Sequence, residues 1–104
     1  MPFGYNGKIL HVDLTKASFK FDYPSERFYR QYMGGSALAR YYILKNNSGN
    51  IDALDERNIR VIAVSPLTGA PISGQSRVTA MAKSPLTGCI GDSQGGGFFP
   101  AQFK

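Results

Sequence analysis

Glycine-rich turns in the second half of the chain are the residues whose types and spacing could support binding chemistry. The pentapeptide SPLTG occurs at positions 65–69 and again at 84–88, and the second copy leads to three consecutive glycines at 95–97. Turns without side chains leave their backbone N–H groups accessible, and successive N–H groups form a concave site that attracts anions. Arg77 and Lys83 are close in sequence and carry the matching charge. The pattern predicts a site for a phosphate-bearing ligand.

The same glycines also have a purely structural interpretation. Ser-Pro opens a turn and Thr-Gly closes it, because proline fixes φ and glycine adopts positive φ without strain. The established nucleotide motifs are missing, since GDSQGGG does not match G-x-G-x-x-G and lacks the lysine of a P-loop. Structural turns and an anion site therefore compete as explanations of these residues.

The nucleophiles and metal ligands of the chain predict no catalytic residue and no metal held by side chains. There is one histidine, His11, and one cysteine, Cys89. A structural zinc site uses four such ligands and a 4Fe-4S cluster needs several cysteines, so neither is expected in this chain. His11 alternates with apolar residues, which indicates a half-exposed strand position. The single cysteine also excludes an internal disulfide.

The charge distribution favours an anionic partner. The formal net charge is +5, and no acid lies between Arg57 and Gly91, a span that also contains Arg60, Arg77 and Lys83. Such a span would attract a phosphate or a nucleic acid. A solvated basic surface is the alternative.

Composition and length indicate one globular domain over residues 1–104, with 42% apolar residues. No stretch approaches the about 20 apolar residues that span a bilayer. The first residues, MPFGYNGK, lack the features of a secretory signal. We therefore expect a cytoplasmic protein without a membrane partner.

The first 22 residues predict a β-hairpin. Apolar and polar residues alternate over 6–14, where the segment starts at an Asn-Gly turn signal, and again over 18–22. This period of two is typical of strands. The two strands are expected to pair around a turn at 15–17.

Two helices are predicted next. Ser25 is the expected N-cap of a short helix that runs through Tyr32. After a glycine pair, Ser36 is the expected N-cap of a second helix that ends near Lys45. The polar run at 46–50 is expected to be a loop.

Three more strands complete the prediction, at 59–64, 77–82 and 89–93, with the SPLTG turns between them. The expected fold is α+β and β-rich. It has about five to six strands, and one or two short helices lie between the N-terminal hairpin and the glycine-turn strands. Alternation in the middle strand of the three places these residues on one face: Val78, Ala80 and Ala82.

Five motifs in order resemble the N-terminal segment of the tungsten-containing aldehyde ferredoxin oxidoreductase family, and the similarity extends over essentially the whole chain. They are a Gly-basic-apolar opening strand, a Gly-Gly step before a Leu-Ala helix, Pro-Leu-Thr-Gly, Gly-x-x-Arg and Lys-Ser-Pro-Leu-Thr-Gly. In this sequence they occupy Gly7 to Thr15, Gly34 to Ala39, Pro66 to Gly69, Gly74 to Arg77 and Lys83 to Gly88.

The resemblance implies a tungsten or molybdenum bis-molybdopterin cofactor in the full-length family, beside a four-iron cluster, with aldehydes oxidised to carboxylates and electrons passed to ferredoxin. It assigns Arg77 to contact with a pterin. Gln94 and Gly96 match an Asn-x-Gly whose backbone meets the pterin phosphate and its magnesium; Gly95 lies between them, and Lys83 adds positive charge. Because the family has Asn rather than Gln, only a main-chain role transfers directly to Gln94.

The resemblance also implies what this chain does not contain. The cluster cysteines and the acids and histidines proposed for aldehyde chemistry belong to later domains of the family, so we expect the isolated chain to be inactive. The chain is expected to be the first, pterin-cradling half of the N-terminal domain, and its natural partners to be the remaining domains. Without the rest of that domain, the side chains of Phe98, Phe99 and Phe103 would be exposed to solvent, and burial of these rings would favour a homodimer.

A small basic module that binds nucleotide or nucleic acid is the alternative from a different class. Nucleic-acid platforms interleave exposed aromatic residues with basic ones. Here the aromatic residues cluster at 19–42 and 98–103, away from the basic span, so nucleic acid is the weaker expectation. A homodimeric half-domain that imitates the two pterin-binding halves is a third hypothesis.

Overall fold

The structure is a computed structural model that describes residues 4–47 and 50–104. Strands β1 (Ile9–Asp13) and β2 (Ser18–Asp22) form the antiparallel N-terminal hairpin that the alternation predicted. Asp13 closes the connection, since its Oδ1 accepts hydrogen bonds from the amides of Thr15 (3.0 Å) and Lys16 (3.1 Å). An Asp side chain that binds the backbone just after it is a common way to form such a turn.

The structure confirms the predicted N-cap and the predicted last residue of the first helix. Helix α1 spans Glu26–Tyr32, and Ser25 is its N-cap, with Oγ accepting from the amide of Phe28 at 3.3 Å. Such a cap satisfies one of the N–H groups that a helix leaves without an internal partner.

The second helix, α2, spans Gly35–Asn46. Its N-cap is Gly34, so the prediction that Ser36 caps this helix is wrong. The hydroxyl of Ser36 instead donates to Oδ2 of Asp92 at 2.9 Å. Glycine is needed at 34 because a Cβ there would lie 2.6 Å from the carbonyl oxygen of Val64. Helix α2 includes the first residue of the predicted loop at 46–50; two residues of that loop, 48 and 49, lie outside the described ranges.

The second sheet contains three antiparallel strands in the order β3-β4-β5. They span Val61–Val64, Val78–Lys83 and Ile90–Gly95, close to the predicted segments. Each SPLTG copy follows a strand of this sheet, the first β3 and the second β4. The five strands and the short helices confirm the predicted α+β, β-rich class.

Helix α2 covers one face of this sheet and forms the core with it. Ala39 and Ile43 of the helix pack with Ala63 of β3 and Met81 of β4, and all four are buried. Thr79 is buried on the same strand as Met81. The face predicted from alternation, with Val78, Ala80 and Ala82, is therefore the half-buried face turned away from the helix.

A third helix, α3 (Phe99–Phe103), was not predicted. Pro100 lies in its first turn and is buried, which is a favourable place for proline in a helix. Phe98 and Phe99 are exposed by 90% and 57%, as expected from the sequence, and Phe103 by 46%. Within the described residues, no helix combines the length and hydropathy that a bilayer crossing requires.

Candidate anion-binding site

The three consecutive glycines lie where β5 ends. Gly95 is the last strand residue, and Gly97 has φ +101°, a conformation that favours glycine. A Cβ on Gly96 would lie 3.4 Å from the carbonyl oxygen of Ser76, and one on Gly97 would meet nothing within 4 Å. Outside the strand ladder, the amides of Gly96 and Gly97 donate no hydrogen bond to a described residue. These amides are available to a ligand.

Arg77 lies beside this glycine run. It directly precedes Val78, which pairs with Gly95 across the sheet, so the pairing brings Arg77 next to Gly96. The Arg77 side chain is exposed, and its guanidinium forms no ion pair with a described residue. The sheet therefore places an unpaired guanidinium and two open amides at one end, a combination that suits a phosphate.

Ser76 holds the glycine run against the start of β4, and no pattern in the sequence indicates this role. Its Oγ donates a hydrogen bond to the carbonyl oxygen of Gly97. This bond fixes the direction in which the segment leaves the sheet. A serine next to an arginine has no distinctive pattern, so only its position opposite Gly97 shows this role.

Gln94 lies inside β5 and pairs with Thr79. Its Nε2 is 3.5 Å from Oγ of Ser36, the limit of a hydrogen bond. Asp92, two residues earlier, accepts from the same hydroxyl and lies 3.9 Å from the guanidinium of Arg40. Contacts of Gln94 with Ser36, and of Asp92 with Ser36 and Arg40, connect the candidate site to the first turns of α2. These contacts join residues far apart in sequence, which is why the sequence did not reveal them.

Lys83 is the one predicted residue that the structure does not bring to this cluster. It ends β4, six residues beyond Arg77, which corresponds to about 20 Å along a strand. Its Nζ donates to the carbonyl oxygen of Ile51, in the segment before β3. Arg77, Gln94, Gly95 and Gly96 are together, and Lys83 is at the opposite end of the sheet.

The two SPLTG turns do not provide the open amides that were expected of them. In the first turn, Leu67 N–H donates to Oγ of Ser65 (3.1 Å), and Gly69 N–H donates to Oε1 of Gln75 (2.7 Å). In the second turn, Oγ of Ser84 accepts from the amides of Leu86 (3.2 Å) and Thr87 (3.4 Å). These hydrogen bonds occupy amides of both turns, through Ser65 and Gln75 at the first and Ser84 at the second, and they favour the structural interpretation of the SPLTG turns.

The first SPLTG turn presents carbonyl oxygens to a cation instead. Nζ of Lys104 donates to the carbonyl oxygens of Ser65 (3.3 Å), Pro66 (2.8 Å) and Thr68 (3.0 Å). Burial lowers the pKa of Lys104 below its ordinary value. The sequence contained no signal for this contact, because it joins segments more than 30 residues apart.

Side chains that could hold a metal do not converge in the part of the chain that the structure describes. No group of three or more His, Cys, Asp or Glu residues there has the required proximity. Cys89 is exposed directly after the second SPLTG turn, and His11 lies 3.8 Å from the carboxylate of Asp22.

The chain is similar to known proteins over nearly its whole length. Residues 9–104 match the model of the aldehyde ferredoxin oxidoreductase N-terminal domain. The tungsten-containing aldehyde ferredoxin oxidoreductase of Pyrococcus abyssi is 36% identical over 102 residues, 98% of this chain and 17% of that protein. The protein of the same name from Thermococcus kodakarensis is 32% identical over the same shares. The chain thus spans about one sixth of the length of these relatives.

A solved structure has the same fold. It is the active site complex BamBC of benzoyl coenzyme A reductase in complex with 1,5-dienoyl-CoA, and it superposes with a TM-score of 0.93 at 26% sequence identity. The superposition covers 99% of this chain and 16% of that one. These similarities give no support to a separate nucleotide- or nucleic-acid-binding module.

Proposed function

Because this chain belongs to the aldehyde ferredoxin oxidoreductase family, as the N-terminal domain of its proteins, we propose that it forms the floor on which a tungsten-pterin cofactor rests. The observation that carries this proposal is the end of β5, where the amides of Gly96 and Gly97 donate to no described residue and the exposed residue Arg77 lies at the same end of the sheet. The relatives are named as tungsten-containing enzymes.

The residues present fit the phosphate of such a cofactor. Backbone amides can approach an anion closely only where no Cβ intervenes, and a Cβ on Gly96 would already be tight against Ser76. Hydrogen bonds from a guanidinium to a phosphate are charge-assisted and about twice as strong as neutral ones. A bound magnesium would need an oxygen ligand, and the main-chain carbonyl of Gln94 would supply it.

This chain's own residues would bind and orient the cofactor and carry out no chemical step. The bound group would supply the dithiolene sulfurs that hold tungsten or molybdenum and the redox chemistry of aldehyde oxidation. Arg77 and the amides of Gly96 and Gly97 would hold the phosphate. Lys83 would act indirectly, by fixing the segment at Ile51 through its Nζ.

Aldehyde oxidation with ferredoxin as electron acceptor would then be an activity of the parent protein. That activity needs the domains that supply the four-iron cluster and the substrate pocket. In this proposal the isolated chain has no turnover. We extend the proposal to a homodimer of the isolated chain, because exposed aromatic side chains at Phe98, Phe99 and Phe103 favour self-association.

Phosphate binding to the ¹⁵N-labelled chain tests the site. Titration with inorganic phosphate should shift the amide resonances of Gly96 and Gly97, and Arg77→Gln should weaken this binding about tenfold. Arg27→Gln, which removes an exposed arginine on α1, is the matched control and should leave binding unchanged. Shifts spread over the basic surface, equal in both variants, would contradict the site.

Cofactor uptake and oligomeric state are separate measurements. The chain mixed with a cofactor-bearing extract should retain pterin fluorescence and tungsten by elemental analysis, and the Arg77→Gln variant should retain less of both. If neither is retained, the binding proposal fails and the family membership stands. Sedimentation at micromolar concentration should show a dimer, and a clean monomer would remove that part of the proposal.

A further inference from the structure

A groove of about 560 Å³ runs between the N-terminal segment and strand β3. Consecutive residues line both walls, 4–10 on one side and 60–66 on the other. Successive strand side chains point to opposite faces, so a groove that touches every residue in turn follows the edge of the strand and not one of its faces.

Among residues 4–47 and 50–104, no strand lies beside the β3 edge along this groove. In these ranges, strand β3 pairs with β4 only, on its other edge, and β1 pairs with β2 only. Apart from these ladders, no backbone hydrogen bond involves residues 61–64 or 9–13 in the described part of the chain. An unpaired edge presents a row of N–H and C=O groups that can pair with an added strand.

Apolar side chains line the groove, and Leu10 and Phe21 among them are exposed in the described part of the chain. An apolar segment would cover them. Tyr29 lines the groove as well; it is 4% exposed, and its hydroxyl has no hydrogen-bond partner among the described residues. Buried polar groups are normally paired, so this hydroxyl indicates a missing neighbour.

We propose that this groove receives an extended β-strand that pairs with the edge of β3. The strand would come from the polypeptide that follows the matched segment in the parent proteins, since that segment is 17% of the Pyrococcus abyssi relative and is its N-terminal domain. Its side chains would be apolar where they face the groove. The exposed cations Lys8 and Arg60 at the groove favour acidic residues at its ends. This proposal does not depend on the cofactor site.

The test uses a synthetic peptide added to the full 104-residue chain. The peptide copies about twelve residues of the Pyrococcus abyssi protein, taken directly after the matched segment in overlapping windows, a length that exceeds a typical strand. Hydrogen exchange is measured on the chain with and without each peptide. One window should slow the exchange of amides in Val61–Val64 at least tenfold and leave β5 unchanged.

Two further peptides separate backbone pairing from nonspecific apolar contact. One carries N-methyl groups on the odd residues, and the other on the even residues, of the peptide that protects β3. Because successive N–H groups of a strand point to opposite edges, each variant blocks hydrogen bonding along one edge of the added strand and keeps all side chains. At least one of them should bind at least tenfold more weakly. Protection at Ile90–Gly95 in place of β3, no protection by any window, or equal binding of all three peptides would overturn the proposal. Concentration-dependent protection of Val61–Val64 without peptide would also overturn it, because a second copy would then fill the groove.

Discussion

The two SPLTG turns have the same five residues and share one internal hydrogen bond, but they lie in different surroundings. In each turn the serine Oγ accepts from the amide two residues later, at 3.1 Å in the first and 3.2 Å in the second. Each turn also ends with a glycine of positive φ, +88° at Gly69 and +71° at Gly88. The local sequence is thus enough to form the bend.

The surroundings of the first turn make it a centre of packing. Gln75, Lys104 and the N-cap Gly34 all contact it or its flanks, and Thr68 is 3% exposed. In the second turn the corresponding threonine is exposed, and Leu86 is 92% exposed. We therefore expect this identical pentapeptide to contribute very different amounts to stability at its two positions, because desolvation and long-range partners differ.

The largest effect is expected for Lys104→Met, which affects the first turn only. Removal of the ammonium takes one donor from each of three carbonyl oxygens, and among the described residues only that of Ser65 keeps another, the amide of Thr68 at 3.1 Å. Hydrogen bonds to charged groups are worth about 1.5–3 kcal/mol. The free energy of unfolding in urea should fall by about 2 kcal/mol. Lys16→Met, which removes an exposed lysine in the hairpin turn, is the control and should change it by less than about 0.5 kcal/mol. Equal losses in both variants would mean that the contact with the first turn does not stabilise the fold.

The threonines provide a matched pair of substitutions. Thr68 Oγ1 accepts from the amide of Ser65 at 3.1 Å in a buried position, and Thr87 Oγ1 accepts from the amide of Cys89 at 3.2 Å in an exposed one. Thr68→Val should cost about 1–2 kcal/mol because the amide of Ser65 is left unpaired. Thr87→Val should cost less than about 0.5 kcal/mol, since water replaces the hydroxyl. Urea titrations of both variants give the comparison, and similar costs would show that the two turns are equally solvated.

The leucines should differ less. Leu67 is 56% exposed and Leu86 is 92% exposed. Full burial of a leucine is worth about 1.5–3 kcal/mol, so Leu67→Ala should cost about 1 kcal/mol and Leu86→Ala close to none. Thermal unfolding followed by circular dichroism would measure both. A larger loss at Leu86 would indicate that a partner covers the second turn in solution.

The glycines should show no difference at all between the turns. An L-residue in the left-handed region costs about 1–2 kcal/mol, and neither position has an atom closer than 4.0 Å to a new Cβ. Gly69→Ala and Gly88→Ala should therefore destabilise the chain by the same amount within about 0.5 kcal/mol. Unequal losses in urea titrations would show that the surroundings also affect the bend itself, and the separation of local from tertiary effects would fail.

Prediction from the sequence succeeded where the interaction is local. The hairpin, the Ser25 cap and the three later strands each depend on alternation or on a bond between neighbouring residues. It failed at Ser36, which has the side chain of an N-cap but donates to Asp92, 56 residues away. It also missed α3, because five residues with a phenylalanine at each end have no helical pattern long enough to recognise.

The candidate site follows the same division. Glycine types and the charge of Arg77 were visible in the sequence, and they predicted an anion site. Which glycine turn stays open was not visible, since that depends on whether side chains such as Gln75 and Ser84 reach the amides. The direction of Lys83, toward Ile51 and away from Arg77, was hidden for the same reason.

The sequence by itself determined the bends, the hairpin and the family of this chain, because these depend on residue types at fixed short spacings. Only the tertiary structure decided which SPLTG turn is buried, which amides stay free and which strand edge remains unpaired. Those properties arise from contacts between segments tens of residues apart, and the free energy of burial and pairing depends on what the folded chain brings together.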